Sequence, residues 1–148
     1  MEIISPGKVG PELTEGINRL LAQLTGAPKT VSAQQIEAIL GSENSHLLAA
    51  VDQGQVLGML TLVVYAIPTG KRAVIEDVVV DNAVRRRGVG RALLSRAILR
   101  AGAMGATDVN LTSNPSRKAA NRLYLKMGFE ARTSNTYRLP IPATEKPK

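Results

Sequence analysis

The sequence predicts a mixed α/β domain. Three observations carry that reading. Apolar residues recur at helical spacing in four stretches, with short β-branched runs between and around them. The order along the chain is strand, two helices, three strands, helix, strand, helix and two strands. The length of 148 residues fits one domain on one core, read as residues 1–142 with a disordered tail at 143–148.

Each element has its own signal. Residues 2–4 form a short strand stopped by Pro6 and Gly7. Over 11–24, Leu13, Ile17, Leu20, Leu21 and Leu24 take helical spacing, and Gly26 and Pro28 end the run. Ser32 and Gln35 read as a capping box for a second helix through Ile36, Ile39 and Leu40, closed by Gly41. Residues 47–51 and 56–67 are strands joined by Asp52-Gln53-Gly54-Gln55, a hairpin loop. Pro68-Thr69-Gly70 turns the chain into a third strand, 73–80. A helix over 88–104 carries the apolar stripe Leu93, Leu94, Ala97, Ile98 and Ala101, and a strand at 108–112 follows. The unit 73–112 is expected to be a right-handed parallel crossover. Asn114 and Pro115 are placed as the cap and first turn of the last helix, with Ala120, Leu123, Tyr124 and Met127 on one side and Gly128 at its end. Residues 129–132 and 136–141 are expected as two closing strands.

Composition narrows the chemistry. An apolar fraction of 44% with 21% charged residues is that of a globular chain. With no Cys, disulfides, thiolate–zinc sites and a cysteine nucleophile are excluded. The single His, His46, cannot build a histidine metal site, no G-x-S-x-G turn accompanies it, and it is left out of the mechanism. No metal is expected. No apolar run reaches the ~18 residues of a membrane span, and residues 1–13 lack a signal peptide's basic flank and apolar run. A soluble, cytoplasmic protein with no membrane partner is the expectation.

The net charge of +7 is unevenly spread. Residues 1–81 hold nine acids against five Lys/Arg, a net −4, and residues 82–148 hold three against fourteen, a net +11. Such a basic half can be a solvated face or an anion site.

Its densest part is Arg85-Arg86-Arg87-Gly88-Val89-Gly90-Arg91, after a strand and at a helix mouth. The first turn of a helix leaves backbone N–H groups unpaired, and the dipole adds positive charge there. Glycines let a phosphate approach that backbone. A dinucleotide fingerprint would need a glycine at 93, where Leu93 stands, and no Walker A spacing exists. Six arginines between 85 and 100 also invite a nucleic-acid reading. One Phe, three Tyr and no Trp leave few stacking aromatics, and no helix-turn-helix precedes the run, so nucleic acid is not the expected partner.

The run VVVDNAVRRRGVGRALL resembles the acetyl-CoA signature of the GNAT N-acetyltransferase superfamily, Arg/Gln-x-x-Gly-x-Gly/Ala after a strand, matched by Arg85, Gly88 and Gly90. NPSRKAANRLYLKMGF resembles that superfamily's closing segment at Asn121, Tyr124, Gly128 and Phe129. The resemblance implies a mostly antiparallel mixed sheet with a central splayed parallel strand pair and about four flanking helices. It implies an acetyl-CoA-dependent N-acetyltransferase acting on a primary amine by direct attack in a ternary complex. CoA pyrophosphate would meet the amides of Arg85, Arg86, Arg87, Gly88, Val89, Gly90 and Arg91. The pantetheine arm would pair with the backbone of Val78, Val79 and Val80, and Asn121 and Asn114 would touch the cofactor.

Acyl transfer to an ammonium requires loss of one proton and delivery of another. Glu76 and Asp77 are the only acids on the central strand, and they are expected to point to opposite faces. The resemblance favours Glu76 as base and gives Tyr124 the role of acid to the leaving thiolate. Two other classes stay open: a CoA-binding regulatory module of the same fold and a basic nucleic-acid-associated protein. The acceptor could be a small molecule, a peptide or a protein amine, and the acidic front half favours a cationic one. The long second strand of the hairpin is compatible with a homodimer.

Overall fold

A computed structural model describes residues 1–143. The tail expected at 143–148 lies, past Ala143, outside them. The chain divides into two compact units, Met1–Asn114 and the part from Pro115 onward.

The first unit holds β1 (Glu2–Ile4), α1 (Pro11–Thr25), α2 (Ala33–Leu40), β2 (Ser45–Asp52), β3 (Gln55–Ile67), β4 (Gly70–Val80), α3 (Val89–Ala103) and β5 (Val109–Asn110). The sheet runs β1-β2-β3-β4-β5, antiparallel throughout except for the parallel β4–β5 pair. This is the mixed α/β architecture expected, and α3 makes the crossover between the parallel strands.

Local chemistry explains the element ends. Pro11 opens α1, and Gly26 closes it at φ 66, its N–H donating to the Ala22 carbonyl. The capping box of α2 is formed: the Gln35 N–H donates to Ser32 Oγ at 3.1 Å and the Ser32 N–H to Gln35 Oε1 at 2.8 Å. The β2–β3 turn is tighter than the four-residue loop expected. Gln53 (φ 48) and Gly54 (φ 77) are both left-handed, which suits a two-residue turn matched to strand twist.

Helices cover both sheet faces. Ile17, Leu20 and Ile36 of α1 and α2 pack with Leu47, Ala49, Met59 and Val79. Gly58, next to Met59 and so on the other face, lies under α3. A Cβ there would fall 3.1 Å from Val89 Cγ1 and 3.2 Å from Leu93 Cδ1, so the missing side chain lets α3 sit close. Among the described residues no helix is long and apolar enough to cross a membrane.

The second unit contains α4 (Lys118–Lys126). It starts later than Asn114 and Pro115 suggest. The Lys118 N–H donates to the Ser116 carbonyl at 2.9 Å around Arg117 (φ −81, ψ 65), a tight turn that holds the chain out of helix until Lys118. Gly128, at φ 95, follows the helix end, and the Phe129 N–H donates to the Tyr124 carbonyl at 3.0 Å.

Two other expectations need correction. The strand expected at 108–112 reduces to Val109–Asn110. No strand forms over 129–132 or 136–141. The alternation Tyr137, Leu139, Ile141 is present, but all three are 87–88% exposed, with no surface over them. Pro140 removes one N–H donor from the ladder that would have formed.

Candidate functional site

The site is built where β4 ends. Its register with β5 covers only Ala73↔Val109 and Val74↔Asn110, while β4 runs on to Val80. The parallel pair therefore parts after Val74, leaving the stretch with Val78, Val79 and Val80 beyond the ladder.

β4 is also bulged. Thr61 pairs with Glu76 and Met59 with Val79, so Asp77 and Val78 together stand opposite Leu60. Asp77 takes φ 52. The regular alternation assumed for Glu76 to Val80 is thus broken. By register Glu76 and Val79 share the face of α1 and α2, three residues apart instead of two. Glu76 and Asp77 are both exposed, and Val79 is buried in the core.

After Val80 comes a single 3-10 turn, Asn82–Val84, capped by Asp81, whose side chain accepts from the Ala83 N–H at 3.0 Å. That bond, with help from Gln23 and Arg19, holds the Asp81 carboxyl below the usual carboxylate range against the opposing effect of burial. Arg86 is left-handed at φ 66, and Gly88 caps α3 at φ 78 with no side-chain hydrogen bond. The first intrahelical bond runs from the Ala92 N–H to the Gly88 carbonyl, so the N–H groups of Val89, Gly90 and Arg91 open from the helix end. A Cβ on Gly88 would meet nothing within 4 Å, so the space beside this residue at the helix mouth is open. Among the described residues Arg85, Arg86, Arg87 and Arg91 form no ion pair. These features fit the pyrophosphate of CoA: open donors, dipole and unspent positive charge.

A cleft of about 470 Å³ adjoins this loop, between the start of α1 and the β2–β3 turn. Glu12, Glu15 and Asp52 supply acid, and Arg19, Val84 and Arg87 line it too.

In the second unit, Tyr124 is 6% exposed, and its ring meets Phe129 edge-on at 5.9 Å. Burial pushes its hydroxyl above the ordinary tyrosine value, and Arg117 opposes the shift. Asn121 lies one turn before it on α4. Asn114 ends the first unit and does not cap α4.

His46, left out of the mechanism, lies on β2. Its Nδ1 accepts from Arg100 Nη2 at 3.1 Å, so the ring proton is on Nε2. Among the described residues no three His, Asp or Glu side chains gather to hold a metal. Sequence reasoning missed Arg19 and Gln23, which meet Asp81 from 62 and 58 residues away. It also missed the bulge at Asp77. The short polar run Asp81-Asn82 was the only local hint of a capped turn.

The family model described as acetyltransferase (GNAT) family matches residues 16–129. Among solved structures, a Trypanosoma brucei acetyltransferase superimposes with TM-score 0.78 at 25% identity, over 95% of this chain and 99% of that one. An aminoglycoside acetyltransferase from an uncultured soil metagenomic sample, solved with sisomicin, gives TM-score 0.81 at 18% identity over 95% and 96%. A transcriptional regulator from Bacillus halodurans gives 0.78 at 24% over 95% and 99%. No curated protein matches the chain significantly.

Proposed function

This chain belongs to the GNAT acetyltransferase family, and from that premise we propose that it transfers the acetyl group of acetyl-CoA to a primary amine in a ternary complex. One observation carries the proposal: Arg85 to Arg91 offers open helix-terminal N–H groups, and guanidinium groups that form no ion pair among the described residues, at the end of a strand that has parted from its parallel neighbour.

Bound acetyl-CoA supplies an activated acetyl thioester. The loop from Arg85 to Arg91 holds its pyrophosphate, and the backbone of Val78 to Val80 holds the pantetheine arm like an added strand. The amine nitrogen forms a bond to the acetyl carbon as the carbon–sulfur bond breaks. Glu76 takes the acceptor's proton, directly or through water. Its exposure and its place beside the bulge support that role. Tyr124 gives a proton to the departing sulfur. A tyrosine hydroxyl is protonated near neutral pH, as an acid requires, and burial shifts it further in that direction. Asn121 and Asn114 contribute cofactor contacts.

The acceptor is proposed to be a cationic amine. The acidic first half supports this, as does the aminoglycoside acetyltransferase activity named for one neighbour of the same fold. A thiol-release screen with acetyl-CoA against aminoglycosides, polyamines and peptide amines tests the reading. Acetyl-CoA binding without turnover on any amine would favour a regulatory CoA-binding module. Salt-sensitive binding to nucleic acid in place of CoA would overturn it.

A further inference from the structure

The root of the phosphate loop is fastened to a helix 58–62 residues away. Arg19 Nε donates to Asp81 Oδ2 at 3.2 Å, and Gln23 Nε2 donates to Asp81 Oδ1 at 3.3 Å. Gln23 completes a two-way clasp, since its Oε1 accepts from the Asn82 N–H at 2.8 Å. Arg19 Nη2 also donates to the Val56 carbonyl at 2.6 Å, and the Asp81 N–H donates to the Leu57 carbonyl at 2.8 Å. One face of α1 therefore ties β3 and the first two loop residues together. Beyond Val84 no side-chain bond restrains the loop among the described residues, although it must pass through left-handed Arg86 to reach α3.

We propose that Arg19, Gln23 and Asp81 form a positioning cluster that sets affinity for the pyrophosphate end of CoA and takes no part in acyl transfer. The inference rests on the reading of Arg85 to Arg91 as the CoA loop. A loop ordered before binding loses less freedom when the ligand arrives. The three bonds crossing from α1 supply that order at Asp81 and Asn82, four and three residues before the arginines begin at Arg85. Arg19 and Gln23 are on the outer side of α1, only partly buried or exposed, so their replacement leaves the core of Leu20 and Ile17 intact.

The test compares two donors. Acetyl-CoA carries the pyrophosphate, and acetyl-pantetheine, the same thioester, does not. Gln23→Ala removes two of the three crossing bonds. The dissociation constant for CoA, measured by calorimetry and so independent of any acceptor, should rise about tenfold. Turnover at saturating acetyl-CoA should stay within about twofold, and kcat/KM for acetyl-pantetheine should not change. Asp81→Asn keeps an acceptor for the Ala83 N–H and loses the ion pair with Arg19, and it should show the same pattern more weakly. It also serves if Gln23→Ala fails to fold. An unchanged CoA affinity in both variants overturns the inference alone. So does an equal loss with both donors, which would mean general loosening. If the wild-type protein does not bind CoA, the reading of the loop falls and the inference falls with it.

Discussion

Replacing Gly88 by alanine tests the proposed cofactor role of the Arg85 to Arg91 loop apart from its part in the fold. At φ 78 an alanine must adopt the left-handed conformation, at a cost of about 1 kcal/mol. The added Cβ meets no heavy atom within 4 Å, so no clash adds to that cost. For a chain of this size the melting temperature should fall by roughly 2–4 °C. The effect on ligand is larger. If the loop holds the pyrophosphate as proposed, the Cβ would crowd phosphate oxygens approaching the helix-terminal N–H groups to about 2.9 Å. In the wild-type protein, acetyl-CoA at a hundred times its dissociation constant adds ~2.7 kcal/mol, a rise of roughly 5–10 °C. Gly88→Ala should lose most of that rise. Gly105→Ala is the matched control. It has φ 87 at the far end of α3, and its nearest foreign atom is Lys71 Cδ at 3.7 Å. It should lose similar stability and keep the full ligand shift. Thermal melts of the three proteins with and without millimolar acetyl-CoA decide the matter. A wild-type shift retained in Gly88→Ala would refute the reasoning.

Further outcomes follow from other residues. Glu76→Gln should lower turnover by ~100-fold near neutral pH and recover in part as pH rises and the amine deprotonates unaided. Loss in Asp77→Asn with Glu76→Gln unaffected would move the base to the bulge residue. Tyr124→Phe should keep the edge-on contact with Phe129 and reduce kcat more than acetyl-CoA affinity. The raised Tyr124 pKa means that its stabilising contribution holds below about pH 10 and is lost above it, so Tyr124→Phe should flatten the alkaline fall in melting temperature. Burial first and Arg100 second lower the His46 pKa, with a Glu43 backbone contact opposing. Stability is therefore lost as pH falls below about 6.5, where the unfolded chain takes up the proton first. His46→Gln should reduce that acid loss in melts between pH 5 and 8.

The parts of the fold set by neighbouring residues were legible in the sequence. Ser32 and Gln35 cap α2, Gly26 ends α1, and Gly88 stands at the mouth of α3, because each acts within one turn of chain. The loop from Arg85 to Arg91 was legible for the same reason. What escaped depends on partners distant in sequence. The bulge at Asp77 is visible only when β4 is set against Thr61 and Met59. The clasp on Asp81 needs Arg19 and Gln23 brought across from α1. Strand patterning misled at Tyr137, Leu139 and Ile141, because alternation reports side-chain spacing and not a ladder to join. Pro115 misled at α4, because a tight turn at Ser116 to Lys118 competes with helix initiation.

The central claim is acetyl transfer from acetyl-CoA at the Arg85 to Arg91 loop. Its most direct measurement is free-thiol release from acetyl-CoA across the amine panel, with wild-type protein beside Gly88→Glu, which puts a negative side chain where phosphate must sit. The account predicts amine-dependent thiol release in the wild-type protein, a product heavier than the amine by one acetyl group, and neither in Gly88→Glu. Equal release by the two proteins would contradict it.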